Sequence, residues 1–318
     1  MPSSKAFWRK AIILLGLLLA AAAYLELGLR HMPTLYHQKR DGLRAAAATA
    51  QVLVLGASQA NQGLDPALWP VSAFNAAAVG QDAYYDEALF QRWAPQMSAL
   101  KAVVLPISIV SLDASLADTQ ETWRSFAYSQ AFGIPNEMPA RRWDLRNWSA
   151  LALSEPWPAL RLACQGFVDP QGVRLSVLGF ESTPALGSDD IDLRLNSLTA
   201  GKRVRYHLSL KKAERLAGNL ELYRSLAGSA RARGIAPLFV IFPVDVSYAQ
   251  ALSEAAKKER AQQLRELAGP LQAPIFDYFS DPRFTSADFA DVDHLSGKGA
   301  KKFSAILWTE ALGPLFKR

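Results

Sequence analysis

A serine in one stretch of the chain, and a histidine with two aspartates in another far downstream, are the residues best suited to chemistry. Ser58 closes the run Val52-Leu53-Val54-Leu55-Gly56-Ala57-Ser58, and the second stretch reads Asp291-Val292-Asp293-His294-Leu295-Ser296-Gly297. A serine hydroxyl becomes an effective nucleophile when an imidazole takes its proton, and the imidazole needs a third group to fix its tautomer. Asp291 precedes His294 by three residues, so one short loop or helical turn can carry both acid and base. Asp293 is the rival for the orienting role, although the side chain of an adjacent residue usually points elsewhere. Ser58 comes directly after an apolar run, where a strand-to-turn junction exposes a side chain at the edge of a sheet. The chemistry these residues offer is acyl transfer through serine.

Other chemistries find less support. The four histidines, His31, His37, His207 and His294, show no metal-ligand spacing, so no zinc or other metal site is expected. No organic cofactor is implied: no G-x-G-x-x-G follows a strand, and Gly297-Lys298-Gly299 is not a phosphate loop. A G-x-S-x-G elbow fails at Ala60, which stands where the last glycine belongs. Cys164 is the sole cysteine, which excludes an internal disulfide and predicts a buried, inert thiol. A net charge of +6 and a pI near 9.4 favour anionic membrane surfaces or acidic polymers. No nucleic-acid-binding motif accompanies that charge, so nucleic acid is not an expected partner.

The elements that must position these groups follow from the apolar patterning. At 318 residues, half of them hydrophobic, the chain can bury a large core. Lys5, Arg9 and Lys10 precede an apolar stretch that runs from Ala11 to Leu25 and continues past Glu26 to Leu29. The window from Phe7 to Leu29 matches the roughly 20 residues a membrane span requires, and the basic flank places residues 1–10 in the cytoplasm. A signal peptide cleaved near Ala21-Ala22-Ala23 is the competing reading. Residues 1–30 are therefore expected to be a cytoplasmic tip and signal anchor, 31–50 a juxtamembrane stem, and 51–318 the main domain.

Within that domain, strands are predicted over residues 51–56, 73–76, 102–107, 235–242 and 274–277. Helices are predicted over 82–94, from about Leu208 to Ala230 with Gly234 as its stop, over 249–268, and from Lys298 to Phe316. Strands alternating with helices imply an α/β fold, a three-layer α/β/α arrangement around a mainly parallel sheet. Residues from about 112 to 205 lack a clean period and read as an insertion, its tryptophans taken as core anchors. The basic residues of 202–215 read as a solvated helix face.

In an open parallel sheet, ligands bind beyond the carboxyl ends of the strands. Ser58 lies there after the first strand, and Gly80-Gln81-Asp82 opens the helix after the second. Their backbone N–H groups are candidates for an oxyanion hole made by Ser58 and Gly80.

This ordered set resembles the SGNH/GDSL hydrolase superfamily. Gly56-Ala57-Ser58 is similar to its first block, Asn75 through Gly80 to its second, and Asp291-x-x-His294 to its fifth. The third block departs: where the family offers an asparagine after the third strand, this chain reads Leu105-Pro106-Ile107-Ser108-Ile109-Val110, with Ser108 as the nearest substitute. The resemblance implies an SGNH/flavodoxin-like fold, Ser58 as nucleophile, His294 as base, Asp291 as orienting acid and Gly80 as an oxyanion donor. It is similar in particular to membrane-tethered, exported members associated with surface polysaccharides, among which Trp123-Arg124, His207 and Tyr248 match recurring positions. The function so implied is an exported serine O-acyltransferase or esterase, with a cell-envelope glycan as substrate and polysaccharide assembly proteins as possible partners. The alternative is an inactive scaffold or glycan-binding component, for which the missing asparagine speaks.

Overall fold

The computed structural model describes residues 4–168, 172, 175–271 and 273–317. Five apolar runs form strands: β1 (Val52–Val54), β2 (Ala73–Asn75), β3 (Ala102–Pro106), β4 (Ala236–Ile241) and β5 (Ile275–Asp277). Every pairing is parallel and the spatial order is β2-β1-β3-β4-β5, the flavodoxin-like arrangement. Val54 lies level with both Asn75 and Val104, so the loops after β1, β2 and β3 leave from one edge.

The α-helices among the described residues are α1 (Ser4–His31), α2 (Leu35–Ala46), α3 (Ser58–Gly63), α4 (Ala83–Trp93), α5 (Trp123–Phe132), α6 (Ala150–Leu153), α7 (Pro156–Cys164), α8 (Ser188–Arg194), α9 (Ser197–Leu210), α10 (Ala213–Ala232), α11 (Val246–Ala251), α12 (Glu254–Leu271), α13 (Gly297–Leu307) and α14 (Gly313–Phe316). Alternate strand residues point to opposite faces. On one face Val52, Val54, Val104, Leu238 and Val240 share a core with Phe303 and Leu307 of α13. On the other, Phe239 meets the ring of Tyr223 from α10 edge-on, with centroids 6.2 Å apart, and α10 packs on α4 and α12. Burial on both faces explains why the central strands read as unbroken apolar runs instead of alternating ones. The architecture is the expected α/β fold with helices on both sides of a parallel sheet.

Two predicted helices are each divided. The periodicity through Leu208 and Ala230 belongs to α9 and α10, which part at Lys211-Lys212. There the Lys212 N–H donates to the Asp113 carbonyl at 2.6 Å, and the Lys211 ammonium sits 2.9 Å from Asp113 and 2.8 Å from Glu259. The stretch 249–268 is split between α11 and α12, and Ser253 restarts the chain by accepting the Ala256 N–H at 3.2 Å. The basic residues of 202–215 are correspondingly less solvated than expected: besides Lys211, Arg203 holds Asp293 and Arg215 holds Asp118 at 2.7 Å. Charge alternation along a sequence does not show where the acidic partners come from, and these arrive from distant elements.

The chain forms two compact units, residues 38–122 with 174–318, and residues 1–37 with 123–173. The first contains the whole sheet. In it α2 lays Gly42 against the ring of Phe74 on β2, and the buried Lys39 ammonium donates to the carbonyl of Asn75 at 2.9 Å. The second unit contains α1, whose most apolar window has a mean hydropathy of 2.3 and is 6 % buried. Its 28 residues make it long and apolar enough to cross a membrane.

Phe126, Tyr128, Phe132 and Ile134 are buried in that unit. Its tryptophans are not core anchors: Trp143 is 87 % and Trp157 80 % exposed, and Trp123 and Trp148 are about half exposed. Cys164 is likewise exposed, not buried. Prolines around these residues break the helices into short pieces with exposed outer faces, as Pro156 at the start of α7 illustrates.

Candidate active site

Ser58 is the first residue of α3, two residues beyond Gly56. Gly56 has φ +103°, and a Cβ there would lie 2.7 Å from Cγ of Pro106 on β3. Only glycine lets the chain turn that tightly out of β1. Asn75 then fixes α3 from below, donating to the carbonyls of Ala60 at 2.8 Å and Leu64 at 2.9 Å.

The Asp291-x-x-His294 stretch closes on itself. Asp291 Oδ1 accepts the backbone N–H of Asp293 at 3.0 Å and of His294 at 2.8 Å. His294 Nδ1 lies 2.9 and 3.0 Å from the two Asp291 oxygens. An imidazole placed so donates from Nδ1 and leaves Nε2 to accept, and Nε2 sits 2.7 Å from Ser58 Oγ. The three side chains singled out in the sequence thus form one continuous hydrogen-bonded chain.

Electrostatics set the protonation states. Burial works against a charged His294, but the Asp291 hydrogen bond and the charges of Asp293 and Asp291 outweigh it and hold the pKa above the ordinary histidine value. Asp291 is also pushed towards the neutral form by burial, yet its bond to His294 and its backbone donors leave it well below the usual carboxylate range. Asp291, not Asp293, accepts the imidazole's hydrogen bond. Asp293 is 3.7 Å from His294 Nδ1 and is held by Arg203, with Nε to Oδ1 at 2.8 Å and Nη2 to Oδ2 at 3.1 Å. Asp291, Asp293 and His294 together have the atoms for a metal site, but a guanidinium already neutralises one carboxylate and would repel a cation.

A cavity of about 230 Å³ opens beside Ser58, lined by Gly80, Ser108, Arg203, His207 and Tyr248 together with apolar side chains such as Ile107, Val110 and Leu210. Gly80 has φ +73°. The loops holding Gly56 and Gly80 share one anchor: the buried Asp86 carboxylate accepts the Gly56 N–H at 2.7 Å and the Gln81 side-chain amide at 2.7 Å. Burial raises its pKa to about 7, against the pull of those donors. Ser108 occupies the edge where a third oxyanion donor is expected, but its hydroxyl is engaged with Ser111 Oγ at 2.9 Å.

Arg203 escaped the sequence reading, while His207 and Tyr248 were singled out there without a role. Arg203 and His207 are four residues apart on α9, a spacing that puts both on one helix face, and that signal was available. His207 Nδ1 is 2.6 Å from the Tyr248 hydroxyl, and burial lowers its pKa to about 4 despite the nearby Asp293 charge. Trp123 and Arg124 lie in the other unit, where the Arg124 guanidinium stacks 4.6 Å above the Trp123 ring.

The parallel sheet, a serine turn after β1, a glycine after β2 and Asp-x-x-His before α13 define an α/β protein whose site resembles that of SGNH/GDSL hydrolase-like proteins. No family model matches the sequence, and no curated protein matches it. Among solved structures, the chain is similar to a protein of Streptococcus pneumonia described provisionally as a platelet activating factor, at 14 % identity over 94 % of this chain and 98 % of that one, with a TM-score of 0.42. It is also similar to a GDSL-like lipase of Bacteroides thetaiotaomicron, at 12 % identity over 89 % of this chain and 98 % of that one, TM-score 0.40.

Proposed function

We propose that the protein is a membrane-anchored, exported serine esterase or O-acyltransferase that acts on O-acyl groups, chiefly O-acetyl, of a cell-envelope or exported glycan. The observation that carries this reading is the 2.7 Å contact between His294 Nε2 and Ser58 Oγ, with Nδ1 committed to Asp291. Ser58 Oγ attacks the ester carbonyl while Nε2 takes its proton. The backbone N–H groups of Ser58 and Gly80 receive the negative oxygen, each such donor being worth about 3 kcal/mol of barrier. The intermediate collapses, the proton passes from Nε2 to the departing alcohol, and an acyl-serine remains. Water completes hydrolysis or a sugar hydroxyl completes transfer, with His294 again accepting the proton. The cavity lies below the roughly 300–1,000 Å³ of drug-sized ligand sites, which suits a short acyl group better than a long lipid chain.

Export and anchoring, with the sheet-bearing unit on the periplasmic or extracellular side, are supported by the apolar α1 and by Lys5, Arg9 and Lys10 ahead of it. A serine-directed fluorophosphonate tests the chemistry. Wild-type protein should label, Ser58→Ala should not, and His294→Ala should label weakly. Folded wild-type protein that never labels would overturn the reading. The alternative, a catalytically inactive glycan-binding or scaffold component of a polysaccharide export system, is favoured by one observation, the Ser108 hydroxyl tied to Ser111 where the resemblance calls for a free amide donor. Acetate release from an O-acetylated polysaccharide, or its transfer between polysaccharides, separates the two readings.

A further inference from the structure

In the unit that contains α1, the short helix α7 carries an apolar face that stays exposed among the described residues. Trp157 is 80 % and Leu160 48 % exposed, and Cys164 is exposed beyond them. Spacings of three and seven residues from Trp157 align the three along one side of the helix. Ala159, by contrast, is buried, and α7 packs against α1.

The level at which α7 meets α1 is fixed by a group of contacts near the end of the apolar stretch. The Glu26 carboxylate accepts the Ser149 hydroxyl at 2.8 Å and the backbone N–H groups of Ala150 at 3.1 Å and Leu151 at 2.8 Å. Arg30 donates to the Trp148 carbonyl. After α7, the Phe167 ring returns to lie directly over Gly28, where any Cβ would collide with it, and meets Tyr24 edge-on at 5.4 Å. From Phe7 to Glu26 a helix rises about 28 Å, close to the roughly 30 Å of a bilayer's hydrocarbon core. Glu26 and its partners therefore mark the level where α1 leaves the hydrocarbon, and the chain on both sides of α7 is fastened there.

We propose that α7 lies in the outer headgroup region of the bilayer, with Trp157 and Leu160 turned into the acyl boundary beside α1. The inference rests on reading α1 as a membrane span. An amphipathic ring is at its most favourable at that depth, which is why tryptophan gathers at membrane interfaces. Lipid is the occupant because α7 packs on α1 and the chain around it is fastened at the level of Glu26, where α1 reaches the headgroups. A protein partner covering the face would have to displace headgroups to reach it.

Cys164, the sole cysteine, lets the full-length chain report on this face directly. The protein is labelled there with an environment-sensitive NBD probe and reconstituted into phosphatidylcholine–phosphatidylglycerol vesicles. Blue-shifted emission, about twofold quenched by lipids spin-labelled high on the acyl chain, is expected for an interfacial helix. The double variant Trp157→Asp/Leu160→Asp should return the emission towards that of water. Vesicle-bound protein with a water-like, iodide-quenched probe would overturn the inference while leaving the span intact. Emission that depends on the ratio of labelled to unlabelled chains would assign the face to a second copy and overturn it equally. Protein that does not float with the vesicles would overturn the span and the inference together.

Discussion

Arg203 holds Asp293 through the Nε–Nη2 edge of its guanidinium, at 2.8 and 3.1 Å, and so turns it away from the His294 ring. With Asp293 turned to α9, Asp291 alone closes on Nδ1 with both oxygens. Asp291→Asn is expected to lower kcat by roughly 10³–10⁴-fold, since an amide favours the wrong imidazole tautomer. Asp293→Asn should cost far less. Initial rates of acetyl-ester hydrolysis by the two purified variants check the ranking, and equal losses would refute it.

The pH dependence follows from the raised pKa of His294. The base works only when neutral, so kcat/KM should be low in acid and climb through an inflection above the ordinary histidine value near 6.5. Asp293→Asn removes one of the charges that raise it, so its inflection should move towards acid. His207, held near 4 by burial, is neutral across this range and should add no inflection. A pH–rate profile of the wild type, Asp293→Asn and His207→Gln reads all three.

Asp86 links site geometry to stability. Its pKa is about 7 in the folded protein, against about 3.9 in an unfolded chain. The folded state therefore binds the proton more tightly. The stabilisation is full below the unfolded pKa and is lost as pH rises through about 7. Urea unfolding at pH 5 and pH 8 should show this loss, and Asp86→Asn should reduce it. Asp86→Ala leaves the Gly56 N–H without its acceptor, a cost of about 1–3 kcal/mol, and should also slow fluorophosphonate labelling of Ser58.

Gly56 admits no side chain. Gly56→Ala places a Cβ against Pro106 at a φ of +103°, with an expected loss of about 1–3 kcal/mol from backbone strain. Thermal unfolding measures the loss. Labelling of the folded fraction then tests whether Ser58 has moved from His294.

The sequence by itself determined the sheet and its five strands, with ends at most two residues beyond the observed ones. Val52–Val54, Ala102–Pro106 and Ala236–Ile241 are apolar on both faces, and such runs are legible because local composition reflects double burial. It also determined that Asp291 can bond to His294, since three residues suffice to wrap a carboxylate around an imidazole. Helix continuity was less legible. The breaks at Lys211-Lys212 and at Ser253 leave the hydrophobic period nearly intact, and the acids that hold the first break come from residues far away in the chain. Only the tertiary structure decided that His294 reaches Ser58, that Arg203 holds Asp293, and that Asp86 ties the Gly56 and Gly80 loops together. The first of those contacts joins residues 236 apart in the chain and the second residues 90 apart, and a one-dimensional pattern records which residues are buried but not which of them meet.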